Sequence, residues 1–206
     1  VVPRPPKADT EVPVMTAEQV EALLAVAADD EQWGPLVALI ANTGLRISEA
    51  LALTWKQVDL DERTLTVRRS KTAAGRRTIP LVDDAVAALL AQRSWQRRTR
   101  LMVGAGWRRT GLVFTTATGT AVDPHNARRA QRRLLVKAGL PTDRPFHTMR
   151  HSLATRLLRR GVPMPIVSAI LGHASIRTTV DIYGHMQSAI TADDLQAVMD
   201  AEKRAR

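Results

Sequence analysis

A chain of 206 residues with no cysteine has no disulfide, no thiol nucleophile and no Cys-ligated zinc. Its 30 Lys and Arg against 20 Asp and Glu leave a net charge of +10, which points to a polyanionic partner, nucleic acid first. Hydrophobic residues make up 45% and aromatics only 3%, so the composition is that of a globular protein with an aliphatic core. No apolar run approaches the roughly 18 residues of a membrane span, and the start, Val-Val-Pro-Arg-Pro-Pro-Lys, has no signal-peptide core. The expected setting is cytoplasmic and nucleoid-associated.

Residues 1–15 are Pro-rich and read as a linker or arm, 16–188 as the main domain, and 189–206 as a C-terminal helix. Thr16 and Gln19 have the spacing of a capping box, followed by the apolar stripe Val20, Leu23, Leu24, Ala27. After Gly34-Pro35, the residues Leu36, Val37, Leu39 and Ile40 predict a buried second helix. Gly44 allows a tight turn, and Ser48 is the expected cap of a short helix to about Leu53. Arg46 therefore lies at a helix entrance between Leu45 and Ile47. An Arg among core residues is paired or functional, and Glu49 is placed to hold it.

Two strands follow, 65–68 and 77–81, joined by a basic hairpin that carries Lys71. A helix is expected from Asp83 to about Gln92. Residues 93–109 then carry six arginines and no acid, as a phosphate-facing surface or a loop. A short strand at 112–114 precedes Asp123-Pro124, an N-cap with Pro at the first helical position. That helix, 123–138, shows Arg128, Arg129, Arg132, Arg133 and Lys137 on its polar face. Sequence-specific contacts fall to this helix or to 93–109; the DNA-reading residues are not identified by sequence. A helix from about His147 to Arg160 brings His147, Arg150 and His151 to one face. Helices at 163–171 and from the Ser175 cap to about Tyr183 complete the domain, with His173 in the turn between them. The fold class expected is mostly α with a small antiparallel β-sheet (α+β).

Tyr183 is the only tyrosine of the chain. Displacing an alkoxide from a phosphodiester builds charge on the nonbridging oxygens, and Arg forks with imidazole N–H groups can meet that charge. A tyrosine can attack phosphorus and hold it covalently. No Walker motif indicates ATP use, no carboxylate cluster suggests a two-metal site, and no His-Glu-x-x-His motif occurs. No cofactor or metal is expected.

Several boxes in this chain resemble those of the tyrosine recombinases, the lambda-integrase family, over about residues 14–186. Thr43-Gly44-Leu45-Arg46-Ile47-Ser48-Glu49 resembles the box of the first catalytic arginine, implying Arg46, with Glu49 as its acidic support. Ser70-Lys71-Thr72 implies Lys71 as general acid toward the 5′ oxygen. His147-Thr148-Met149-Arg150-His151 implies His147 as proton acceptor or phosphate ligand and Arg150 as the second arginine, with His151 supporting. Leu171-Gly172-His173 implies His173 as a phosphate donor, and Thr178-Thr179-Val180-Asp181-Ile182-Tyr183 implies Tyr183 as nucleophile. The resemblance implies a site-specific recombinase or integrase acting on double-stranded DNA through a 3′-phosphotyrosyl intermediate, as a homo-tetramer on DNA and a monomer when free. It also implies that members of this family carry a helical DNA-binding domain ahead of this one, and that the last helix docks on a neighbour or folds back. The competing expectations are a type IB topoisomerase and a helix-turn-helix regulator built from 162–183.

Overall fold

Thr16 starts the first helix as its spacing to Gln19 requires. In this computed structural model, which describes residues 13–68, 76–143 and 145–184, the Thr16 hydroxyl accepts the Gln19 N–H (3.2 Å) and the Gln19 amide oxygen accepts the Thr16 N–H (3.1 Å). Helix α1 (Ala17–Ala28) buries Val20, Leu23 and Ala27. Helix α2 (Gly34–Thr43) is buried on nearly every side and packs against α1, a later helix α4 (Asp83–Val103) and α6 (Phe146–Arg159). An apolar helix with no polar face is stable only in such a central position. Ahead of α1, Met15 is 3% exposed and its N–H donates to Ser152 Oγ of α6 at 2.7 Å.

Helix α3 (Ile47–Leu51) begins one residue before the expected Ser48 cap. Arg46 is its N-cap residue because the Glu49 carboxylate reaches back to the Arg46 N–H at 2.9 Å. A carboxylate there outcompetes a hydroxyl, since it also meets the positive end of the helix. Strands β1 (Val58–Asp59), β2 (Thr64–Val67) and β3 (Arg77–Pro80) form an antiparallel sheet in that order, with Leu65 opposite Ile79 and Val67 opposite Arg77. The hairpin tip and Lys71 lie outside the described residues.

Helix α4 runs unbroken through the expected stop at Gln92. Its inward stripe continues through Gln92, Trp95 and Thr99, all buried. The polarity of two of these residues hides the period from a hydropathy reading. Residues 112–114 form no strand; among the described residues only a single bridge, Thr54 to Leu112, is found there. The Gln96 side chain donates to the Leu112 carbonyl (3.0 Å), and Gln92 and Gln96 donate to that of Val113 (both 2.9 Å), so side chains take the positions a strand would fill. Helix α5 (Pro124–Lys137) starts as expected, with Asp123 accepting the His125 N–H at 2.6 Å. Helices α6, α7 (Met164–Leu171) and α8 (Ile176–Tyr183) follow, the last capped by the Ser175 hydroxyl.

The architecture is mostly helical with one small antiparallel sheet, as expected. The larger aliphatic core lies between α1, α2, α4, α5 and the sheet. A smaller one under α6, α7 and α8 holds Ala154, Met164, Val167, Leu171 and the ring of Tyr183. Among the described residues no helix is long and apolar enough to cross a membrane. The helix expected at 189–206 lies outside the described residues.

Candidate active site

Glu49 is the acid around which the basic residues are arranged. Its carboxylate is 6% exposed and receives two guanidinium groups. Arg46 Nη1 donates to Oε1 at 3.0 Å. Arg77, at the start of β3, donates Nη1 to Oε1 (3.1 Å) and Nη2 to Oε2 (3.0 Å), a bidentate fork. Burial pushes the Glu49 carboxyl up, but the Arg77 hydrogen bonds, the Arg46 N–H and the charges of both guanidiniums outweigh it, and it ionises below its ordinary range. The Arg46 side chain, 38% exposed, keeps part of its fork open to solvent.

Arg150 is 1% exposed, the bulkiest fully buried side chain described. Its Nη1 donates to the Gly44 carbonyl (2.6 Å) and its Nη2 to the Leu171 carbonyl (2.5 Å). Arg77 Nε donates to the preceding carbonyl, that of Ile170, at 2.6 Å. Two guanidiniums thus hold successive carbonyls at the C-terminal end of α7, where the helix dipole is negative. Burial, then the charges of Arg46 and Arg77, pull the Arg150 ionisation down to about 9, with Glu49 and Tyr183 opposing. Two glycines make this approach possible. Gly44 (φ 65°) would press a side chain on Leu171 and Leu153, and a Cβ on Gly172 (φ 64°) would stand 2.6 Å from Arg77 Nη1.

Tyr183 is 2% exposed, and its hydroxyl lies 2.5 Å from His151 Nδ1. Burial raises the phenol to about 12 against the charge of Arg150. Burial, then His147, Arg150 and His173, lowers His151 to about 4. Phenol and imidazole are both neutral near pH 7, so the Tyr183 O–H donates to Nδ1 in the tautomer whose Nε2 carries the proton. His147, exposed and four residues before His151 on α6, meets its ring edge-on with centroids 4.3 Å apart. His173 Nδ1 pairs with Thr179 Oγ1 of α8 at 2.8 Å. Its ionisation is lowered to about 4 by burial and by Arg150, Arg46, Arg77 and His147. His147 is likewise lowered, by burial and then by Arg150 and Arg46. The charges of Arg46 and Arg150 thus reach both His147 and His173.

Of the sequence-predicted residues, Arg46, Glu49, His147, Arg150, His151, His173 and Tyr183 come together; Lys71 lies outside the described residues. The expected convergence on one face of α6 splits in two. His147 and His151 meet each other, whereas Arg150 turns inward to the backbone of Gly44 and Leu171. Arg77 was not among the expected residues, though strand alternation carries the signal: it shares the inward face of β3 with buried Ile79. Among the described residues no group of three His, Asp or Glu is placed to hold a metal ion. Outside this cluster, Trp55, Arg93, Arg97, Arg100, Arg108 and Arg109 line a cleft of 410 Å³, with the Arg93 guanidinium 4.9 Å above the Trp55 ring. The outer face of α5, with Arg128, Arg129, Arg132 and Arg133, is exposed.

Arg46 and Arg77 on the Glu49 carboxylate, Arg150 on the Gly44 and Leu171 carbonyls, three imidazoles held below their ordinary range and one phenol make a single basic cluster. The chain matches the model of the phage integrase family over residues 13–189 and belongs to that family. It is 32% identical over 213 residues to the "Tyrosine recombinase XerC-like" protein of Caldanaerobacter subterraneus subsp. tengcongensis, an alignment spanning 90% of this chain and 54% of the relative. Its fold is similar to that of XerA recombinase, with a TM-score of 0.73 and 28% identity over 95% of this chain and 66% of that one. It is also similar to the Tn1549 transposon integrase in complex with transposon right end DNA, with a TM-score of 0.74 and 26% identity over 94% of this chain and 67% of that one. The chain spans about half the length of the curated relatives it matches.

Proposed function

We propose that this chain is the catalytic domain of a site-specific DNA recombinase or integrase that cleaves and rejoins double-stranded DNA. The observation that carries the reading is the juxtaposition of the Tyr183 hydroxyl with His151 and Arg150, inside the cluster of Arg46, His147 and His173. In the reaction, the Tyr183 oxygen attacks the scissile phosphorus, the P–O5′ bond breaks, and a 3′-phosphotyrosyl link forms. Arg46, His147 and His173 face the nonbridging oxygens as charge builds there, and Arg150, buried behind them on the Gly44 and Leu171 carbonyls, adds its charge. The phenolic proton leaves to the nearest base, His151 or, through the open side of the site, His147. Lys71, by the family resemblance, protonates the departing 5′ oxygen. One diester replaces another, so a free 5′-hydroxyl can reverse the step on a new strand without ATP or metal.

Strand exchange requires copies acting together, and a homo-tetramer on DNA from a monomeric free protein is the assembly proposed, in the cytoplasm with the nucleoid. The XerA and Tn1549 relatives support the recombinase reading over a nicking-closing topoisomerase. The test is a nicked suicide duplex, in which the released strand diffuses away and traps the adduct. Wild-type protein is expected to accumulate a covalent complex whose modified peptide contains Tyr183, in chelator as well as in magnesium. An adduct formed by Tyr183→Phe, or cleavage strictly dependent on magnesium, overturns the proposal.

A further inference from the structure

Resting on that reading, we infer that Arg77 is a positioning residue for the reaction: from the start of β3 it fixes the Arg46–Glu49 pair and the His173 turn relative to each other. The geometry is specific. All three nitrogens of the guanidinium are engaged: Nη1 and Nη2 on the two oxygens of Glu49, and Nε on the Ile170 carbonyl. Glu49 in turn holds the backbone N–H and the guanidinium of Arg46. The Ile170 carbonyl lies three residues before His173, beside the Leu171 carbonyl that anchors Arg150. One side chain therefore ties the helix entrance at Arg46 to the end of α7.

Arg77 is 6% exposed, so it does not itself offer a fork to a ligand. A merely structural ion pair needs neither the third contact nor its location. The Nε bond places the guanidinium plane against Gly172, where a Cβ would stand 2.6 Å from Nη1. The approach thus requires a glycine immediately before His173. Charge supports the same assignment. Arg46, Arg77 and Arg150 against Glu49 leave a surplus of two positive charges, matched to a phosphoryl group gaining negative charge. Removing Glu49's second partner would turn its carboxylate wholly onto Arg46 and draw that fork away from the phosphate.

Lysine has a single ammonium and cannot reproduce a planar fork with a third donor on another edge of the same plane. Arg77→Met and Arg77→Lys are therefore compared with wild type in single-turnover adduct formation at saturating suicide duplex. The scissile phosphorus is either a phosphodiester or a neutral methylphosphonate. Both variants are expected to slow phosphodiester cleavage by about 10²-fold, as for a reacting group misplaced by about an ångström. DNA affinity should stay within about threefold. The deficit should shrink to a few-fold on the methylphosphonate, which lacks the charge the positioned groups neutralise. An equal deficit on both substrates, no deficit, or full rescue by Arg77→Lys overturns the inference. NMR titration of His173 supplies a readout free of activity: Arg77→Met should raise its ionisation, since the Arg77 charge is among those lowering it, and Arg77→Lys should raise it less. An unmoved His173 in Arg77→Met also overturns the placement. If the His173 titration moves but wild-type protein forms no Tyr183 adduct, the recombinase reading fails and the placement of Arg77 stands.

Discussion

Replacing Arg150 with Met should separate stability from activity, because this side chain is held at a cost. A cation 1% exposed, facing Arg46 and Arg77, has its ionisation pulled from an ordinary 12.5 to about 9. That corresponds to on the order of 5 kcal/mol of disfavoured charge in the folded state. Arg150→Met removes this penalty with a side chain of similar reach. It also strips donors from the Gly44 and Leu171 carbonyls, at about 1–3 kcal/mol each. The two contributions are of similar size, so the net change in unfolding free energy at pH 7 should lie within about 2 kcal/mol of zero. Adduct formation should fall by at least about 10²-fold, because Arg150 fixes the backbone at Gly44 and Leu171, next to Arg46 and His173, and a displacement of about an ångström costs that much. Urea denaturation at pH 7 and the suicide-duplex assay on the same preparations test this. A loss of stability well above about 4 kcal/mol with a proportionate loss of folded protein would show that Arg150 is a structural keystone and refute the reasoning. The sign can be checked by pH as well. A cation with a depressed folded ionisation binds fewer protons folded than unfolded, so the wild-type protein should gain stability as pH rises above about 9, and Arg150→Met should not.

At the acid end, His151 and His173 are both lowered from 6.5 to about 4, so the stability they contribute is complete above pH 6.5 and should be lost as pH falls toward 4. Thermal melts between pH 7 and 4 check this, and a His151→Phe, His173→Phe double variant should flatten the profile. Tyr183→Phe leaves the buried His151 Nδ1 without its partner and should cost about 1 kcal/mol in urea denaturation while leaving DNA affinity unchanged. Gly172→Ala combines a left-handed backbone with a Cβ against Arg77. It should cost about 1–2 kcal/mol and lower adduct formation more than it lowers affinity; a variant with wild-type rates would sink the tight-approach argument.

Residues with local signatures were legible in the sequence. Thr16, Asp123 and Ser175 cap where their spacing said they would, and the central burial of α2 follows from an apolar run without a polar face. The side chains that come together with Tyr183 were singled out through box resemblance; the chemistry of the residues alone left Arg46 as either paired with Glu49 or functional. The failures share a cause. Helix α4 runs past its expected end, and 112–114 forms no strand, because Gln92 and Gln96 are polar residues doing inward work that depends on a backbone far away in sequence. Ser48 lost the cap to Glu49, whose carboxylate serves the helix start and two guanidiniums at once. Arg77 has no local signature because its partners, Glu49 and Ile170, lie 28 and 93 residues away. Polar side chains bound to distant partners leave no periodic trace, whereas caps and apolar stripes do.

The burial of Tyr183 bears on how such a site can be safe without DNA. A phenol at about 12 beside an imidazole at about 4 is the least reactive pairing of the two, with both groups neutral and the proton on oxygen. The cause is desolvation in each case, and the Arg150 charge, which alone would activate the phenol, is outweighed. A phosphodiester entering the site changes those balances in opposite directions. Its negative charge satisfies Arg46 and Arg150 and stabilises protonated His151 and His147, which raises the bases. Moving the Tyr183 ring out of the pocket of Ala154, Met164 and Val167 lifts the desolvation that holds the phenol high. In the proposed reaction the incoming phosphodiester supplies the first of these changes. The His151 bond and the apolar pocket hold the phenol neutral before that, while Glu49 holds Arg46 and Arg77 together.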